Sequence, residues 1–288
     1  MHSIASRFVA LVFLLSLQLP SLARQVFNVK GGVGDVGGAE YNAVRDILQR
    51  IDADVVAFQE LRTSDADNWN ALASELGYGS QALGELTGLA GALRIGYFSR
   101  FPITSTFNVF SPQNCIPPTV VNDISRPPFR VVVDVPGAEK PLVLWALHHK
   151  SLGGIENDFR RAVESVRVND DIDDYLLANP SHTEYVVLGD FNDDIEESQS
   201  SEILSLPSGL PASYQLGCDI TFPVPYAVFP EDAYEIAGGG MKMLDAFQED
   251  ISDPGTLIAS GWRVDYVFVS SNLWSSLSWK PNGRGLQF

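Results

Sequence analysis

Positive charge is scarce in this chain. Its 288 residues carry 19 Lys and Arg against 36 Asp and Glu, a formal net charge of −17. A protein this acidic does not attract polyanions at long range. If it acts on nucleic acid, a bound divalent cation and a few Arg or Lys side chains must overcome a repulsive mean field. Cysteine is also sparse, with only Cys115 and Cys218, and neither sits in a zinc-ligand spacing. In an exported protein the two could pair, closing a loop that adds about 4–5 kcal/mol in the chain-entropy model. Two unpaired buried thiols are the alternative. No internal repeat and no low-complexity tract is present, and the composition excludes a collagen-like or disordered chain. The glycine-rich stretch from Gly31-Gly32 to Gly37-Gly38 lacks the Lys-Ser/Thr ending of a P-loop, so it reads as a turn. What the chain does have is 45% hydrophobic residues, enough for one large domain with a sizeable core.

Only one long apolar run occurs, and it lies at the N-terminus. Arg7 precedes Phe8 to Leu15, the run continues through Leu17 and Leu19, and Ser21-Leu22-Ala23 supplies the small residues of a cleavage site. This is the layout of a secretory signal peptide over residues 1–23, followed by one domain over residues 24–288. The expected location is secreted or periplasmic. An uncleaved N-terminal anchor is the alternative.

Downstream, the hydrophobic periods alternate. Val26 to Val29 reads as a strand. Val44, Ile47, Leu48 and Ile51 recur at helical spacing, and Val55 to Phe58 is a continuous apolar strand ending at Gln59-Glu60. Trp69, Leu72, Ala73 and Leu76 mark a second helix, with Ser64 or Asp65 as its N-cap. Further strands are expected at Ile95–Phe98, Phe129–Val135, Leu142–Leu147, Tyr185–Leu188 and Val264–Val269. A helix carrying Phe159, Ala162, Val163 and Val166 lies among them, and Pro207 to Pro254 reads as loop. Strands joined both by helices and by a short turn at Pro136-Gly137 predict a mixed α/β domain rather than a purely parallel one.

Polar residues gather at the ends of these apolar strands: Asn28, Glu60, His148-His149-Lys150-Ser151, Asp190 with Asn192, and Asp265. Strand ends are where binding groups converge in α/β folds. Each also has an ordinary structural reading. Asn28 could satisfy a turn, Glu60 a helix end and His148 a core hydrogen bond. Asp190-Phe191-Asn192 could form an Asx-turn, and Asp265 could pair with Arg263. Lys150, Arg160, Arg161 and Arg167 fall in one region. They would suit a nucleic-acid groove, but a charged helix face is more often simply solvated.

Taken in order, the clusters resemble the endonuclease/exonuclease/phosphatase superfamily, which includes deoxyribonuclease I-like enzymes and neutral sphingomyelinases. Val26-Phe27-Asn28-Val29-Lys30-Gly31 resembles its opening strand, and Asp54 to Glu60 its Gln-Glu motif. Ser99-Arg100-Phe101-Pro102-Ile103 is similar to a common turn, and His148-His149-Lys150-Ser151 to the His-x-Lys-Ser motif. Gly189-Asp190-Phe191-Asn192 matches Gly-Asp-Phe-Asn, and Arg263 to Phe268 matches the Arg-x-Asp-Tyr-x-Phe strand.

The resemblance implies a four-layer αββα sandwich of two mixed sheets flanked by helices. It implies Mg²⁺ (or Mn²⁺) held by Glu60 and Asn28, with Asn28 and Asn192 on the phosphate. It makes His148 a donor to a phosphate oxygen, Asp190 the group that orients or deprotonates water, and Asp265 a partner of a histidine. The family's terminal Ser-Asp-His motif has no counterpart after Phe268, and the last strand and motif are expected to be missing. Lys30 also stands where many nucleases of the family carry a carboxylate or polar residue. The expected function is a divalent-metal-dependent hydrolase of phosphodiester bonds, first a nuclease. The alternatives are a sphingomyelinase-type or other small-substrate phosphodiesterase, and a non-catalytic binding protein or inactive fragment with the same fold. The expected partner is nucleic acid or a small phosphodiester substrate, with the protein a monomer and no stable protein partner.

Overall fold

The computed structural model describes residues 10–15, 22–62, 64, 66–85, 93–110, 124, 126–193, 241–244 and 264–276. Its architecture follows from two crossover units. In the first, β2 (Leu22–Asn28) passes through α1 (Ala39–Ile51) to β3 (Val55–Leu61), and β2 and β3 pair in parallel. In the second, β8 (Leu142–His148) passes through α3 (Ile155–Ala178) to β9 (Tyr185–Asp190), again in parallel. A parallel pair needs such a crossover, and a helix packed back on the sheet supplies it.

Antiparallel strands complete each sheet. The first sheet runs β1-β2-β3-β5-β4, adding β1 (Ala10–Leu15), β4 (Ser80–Leu83) and β5 (Arg94–Ser99). The second runs β10-β11-β9-β8-β7-β6, adding β6 (Ile103–Asn108), β7 (Phe129–Val133), β10 (Met241–Leu244) and β11 (Asp265–Ser270). Two further helices are α2 (Ala66–Glu75) and α4 (Ser271–Ser276).

Strand parity sorts the core into three layers of contact. On β3, Val55 and Ala57 face the second sheet, meeting Leu144, Ala146, Val186, Leu188 and Val267. Val56 and Phe58 face the other way, onto Tyr41, Val44 and Leu48 of α1 and Trp69 and Leu72 of α2. On β8, Val143, Trp145 and Leu147 turn to Phe159, Ala162, Val163 and Val166 of α3. The order is therefore helices, sheet, sheet, helix: the expected αββα sandwich.

Several elements differ from the sequence reading. β1 is an edge strand built from the apolar run read as a signal peptide, pairing antiparallel from Ala10↔Phe27 to Leu15↔Leu22. β10 lies inside the stretch read as loop and pairs with β11. β6 is a mostly exposed edge strand, too polar to stand out by hydrophobicity. Arg160, Arg161 and Arg167 are not solvated. They are 4%, 3% and 5% exposed, and Glu164 beside them is 0% exposed. These arginines therefore do not present an open charged face to solvent. Cys115, Cys218 and Arg263 lie outside the described residues.

Candidate active site at the rim between the sheets

The four crossover strands all end at one rim. Asn28 closes β2 and is the register partner of Gln59 on β3, while His148 closes β8 and is the register partner of Asp190 on β9. Asp265, first residue of β11, is in turn the partner of Asp190. Parity then aims the side chains. His148 and Asp190 continue the alternate positions Leu144, Ala146, Val186 and Leu188 that face the first sheet, so both reach the gap between the sheets.

Glu60 reaches the same gap by a different device. The β3–β5 register shifts between Phe58 and Leu61, and Glu60 has φ +63°. A bulge of this kind re-aims a side chain that regular alternation would turn away. Lys30 (φ +44°) and Asn192 (φ +51°) also adopt left-handed backbone at the rim. Such conformations cost about 1–3 kcal/mol each and persist where the surroundings fix them.

The contacts are tight. Asn28 Nδ2 donates to Glu60 Oε1 at 3.1 Å and to Asp190 Oδ2 at 3.3 Å, bridging the two carboxylates. Its Oδ1 accepts the Lys30 backbone N–H at 2.9 Å. His148 Nε2 lies 3.6 Å from Asp190 Oδ2 and 3.9 Å from Glu60 Oε1. Asp190 Oδ1 accepts the Asn192 backbone N–H at 2.8 Å, and Asn192 Nδ2 donates to the His149 carbonyl at 3.0 Å. The rim thus gathers Asn28, Glu60, His148 and Asp190 directly, with Asn192 and Asp265 adjoining Asp190.

Burial sets the protonation states. Desolvation, reinforced by the neighbouring Glu60 charge, pushes the Asp190 carboxyl up to about 6 against the hydrogen bonds from Asn192 and Asn28 and the pull of Arg126. Desolvation, with Arg126 and His149 nearby, drives His148 well below its ordinary value. His148 is therefore a neutral imidazole near pH 7. Its buried Nδ1 and both polar atoms of the Gln59 side chain have no hydrogen-bond partner among the described residues. Orphaned buried polar atoms at a rim point to a polar occupant.

His149 turns to the opposite face of the sheet. Its Nε2 lies 3.2 Å from Ser165 Oγ and its Nδ1 3.5 Å from Glu164 Oε2, both on α3. Burial, with Arg161 and Arg126, lowers its pKa to about 3. The sequence reading missed Arg126, which sits just before Pro127-Pro128. Its Nη1 donates to the carbonyls of His148 (3.2 Å) and His149 (2.6 Å), and its Nη2 to Ser151 Oγ (3.4 Å). A cation ahead of a Pro-Pro step at a strand entrance was its only signal in the sequence.

The donors present suit a hard cation. Glu60 and Asp190 turn carboxylate oxygens to the rim, and their mutual repulsion favours a positive charge between them. A Mg²⁺-like ion binds one or two carboxylates and keeps several waters. Asn28 presents its N–H₂ to the carboxylates, so ligation through its oxygen requires the amide to turn. Among the described residues no group of three or more His, Cys, Asp or Glu is arranged to hold a metal ion.

Comparison with known proteins agrees with the fold. The Endonuclease/Exonuclease/phosphatase family model matches residues 26–285, and the chain belongs to that family. Its enzymes generally use divalent metals. The structure is similar to the human Nocturnin catalytic domain with bound sulfate anion, at 12% identity and TM-score 0.56, covering 92% of this chain and 86% of that one. It is similar to an endonuclease/exonuclease/phosphatase from Beutenbergia cavernae, at 17% identity and TM-score 0.58, covering 92% of this chain and 64% of that one. It is also similar to ANGEL2, a 2',3'-cyclic phosphatase, at 15% identity and TM-score 0.54, covering 81% and 73%. At these identities the likeness is one of fold. No curated protein matches the sequence.

Proposed function

We infer that this protein is an exported, Mg²⁺-dependent hydrolase of phosphodiester bonds. The observation that carries the reading is the rim cluster itself: Asn28 bridging Glu60 and Asp190, with the neutral imidazole of His148 3.6 Å from Asp190. A buried Asp190 and a part-buried Glu60 sharing one amide donor repel each other, and a cation between them relieves that repulsion. Family membership supports hydrolysis, and the apolar N-terminal run supports export.

In this reading Glu60 holds the cation, with Asn28 beside it. The bound cation supplies charge neutralisation at the phosphoryl group. Asp190 accepts the proton of the attacking water; with a pKa raised to about 6 it is both largely ionised near pH 7 and basic enough to take that proton. His148 donates from Nε2 to a phosphate oxygen as a neutral group, and Asn192 holds a second oxygen. Neutral donors let an acidic protein stabilise an anionic transition state without a basic surface.

A nuclease is the first substrate reading. The burial of Arg160, Arg161 and Arg167, together with the net charge of −17, favours the second, a smaller phosphodiester. The two separate in one assay. Plasmid DNA and bis-p-nitrophenyl phosphate are each offered to the protein with Mg²⁺. Nicking of the plasmid supports the nuclease, hydrolysis of the small diester alone supports the second reading, and neither defeats the hydrolase.

A further inference from the structure

The inner face of α3 carries a charged layer where an apolar one is expected. Arg160, Glu164 and Arg167 recur at the same helical period as the core residues around them, yet all are buried. Burying a charge is costly unless its partners are fixed, so these groups must be holding something. Arg167 pairs with Asp170 on α3 itself, whereas Glu164 and its neighbour Arg161 reach the two loops that carry the rim.

Glu164 Oε2 accepts the backbone N–H of Lys150 at 2.7 Å. Arg161 Nη1 donates to the carbonyls of Lys150 (3.1 Å) and Leu152 (2.8 Å), its Nη2 contacts Asp158, and its Nε lies 3.5 Å from Asp193 Oδ2. One guanidinium thereby ties the loop after His148 to the loop after Asp190. The loop it grips has unusual backbone. Leu152 has φ +77° and is 73% exposed, and Gly153-Gly154 follow before the helix begins. From the other side, Arg126 grips the His148 and His149 carbonyls and Asn192 adds a bond to the latter.

We propose that Glu164 and Arg161 are positioning residues: through the Lys150–Leu152 backbone and Asp193 they set the separation between His148 and Asp190. This rests on the hydrolase reading, in which that separation governs the reacting geometry. Neither side chain touches the rim. They act through the Lys150 and Leu152 main chain, two and four residues from His148, and Arg161 also through the Asp193 side chain, three residues from Asp190.

The test compares wild type with Glu164→Ala, Glu164→Gln and Arg161→Lys. Two readouts are taken: kcat and KM for bis-p-nitrophenyl phosphate with Mg²⁺, and the His148 ring resonances by ¹H–¹³C NMR. Glu164→Ala removes the Lys150 acceptor, and a displacement near 1 Å lowers kcat by roughly 10- to 100-fold with KM little changed. Glu164→Gln keeps an acceptor oxygen for that N–H and restores most of the rate. The His148 resonances shift in the Ala variant and return in the Gln variant. Arg161→Lys cannot bridge both carbonyls and Asp193 at once, so it lowers kcat in the same way and carries the test if Glu164→Ala does not fold. A folded Ala variant with wild-type kcat, or with unmoved His148 resonances, overturns the proposal. Wild type without hydrolysis defeats the hydrolase reading instead, and the His148 resonances then decide the positioning role alone.

Discussion

Acidification should weaken this fold through His149, and the size of the effect follows from its surroundings. The imidazole is enclosed between β8 and α3 beside Arg161, and its pKa is lowered to about 3. In the unfolded chain it titrates at about 6.5. Below that value the unfolded state takes up a proton that the folded state refuses, so stability is full above pH 6.5 and falls as the pH drops towards 3. Between pH 7 and pH 4 this one group removes about 3 kcal/mol. His148, also depressed, pulls in the same direction. Asp190 opposes them. Its folded pKa of about 6 lies above its unfolded value, so acidification through that window favours the folded state. The wild-type curve alone therefore mixes opposing signs, and the informative quantity is a difference. His149→Asn, neutral and able to face Glu164, removes the His149 contribution and leaves the other two. Urea unfolding followed by the fluorescence of the buried Trp69 and Trp145 gives both curves at pH 7, 5 and 4. The wild type should lose about 3 kcal/mol more than the variant between pH 7 and 4. Parallel curves, or a His149 ring that titrates near 6.5 in the folded protein, would refute the reasoning.

Other perturbations read out different parts of the molecule. Gly189 has φ +145°, and a Cβ there would lie 2.1 Å from the Leu147 carbonyl oxygen in the paired strand. Gly189→Ala should cost roughly 3 kcal/mol or more in denaturant unfolding, whereas Gly77→Ala, at φ +76° with nothing within 4 Å, pays only the backbone penalty of about 1–2 kcal/mol. Mg²⁺ at a hundredfold excess over its Kd should stabilise the wild type by about 2–3 kcal/mol in a thermal melt, and Glu60→Gln should lose that gain.

How much of this was legible in the sequence depends on the kind of signal. Elements whose apolar residues are buried on a regular period stood out, as with Val44 and Leu48 of α1 and the continuous runs of β8 and β9. β6 and β10 did not, because an exposed polar edge and a four-residue strand in a glycine-rich stretch carry too little period to detect. β1 used an apolar run that reads equally as a leader. At the site, residues closing apolar strands were visible because a polar group at that position breaks the pattern. Glu60 was visible too, although its aim depends on a bulge that no residue type announces. Arg126, Arg161 and Glu164 were missed or misread for a physical reason. A charge at helical spacing looks solvated in sequence, and only the packing of α3 against two loops shows it to be buried and bonded.

Whether the rim carboxylates form a hydrolytic centre is decided by Mg²⁺-dependent cleavage of bis-p-nitrophenyl phosphate by wild type, Glu60→Gln and Asp190→Asn, each shown to be folded. Turnover by the wild type that chelator abolishes, and that falls by at least about 100-fold in both variants, is the expected result. Turnover that survives in either variant, or its absence from folded wild-type protein, would contradict it.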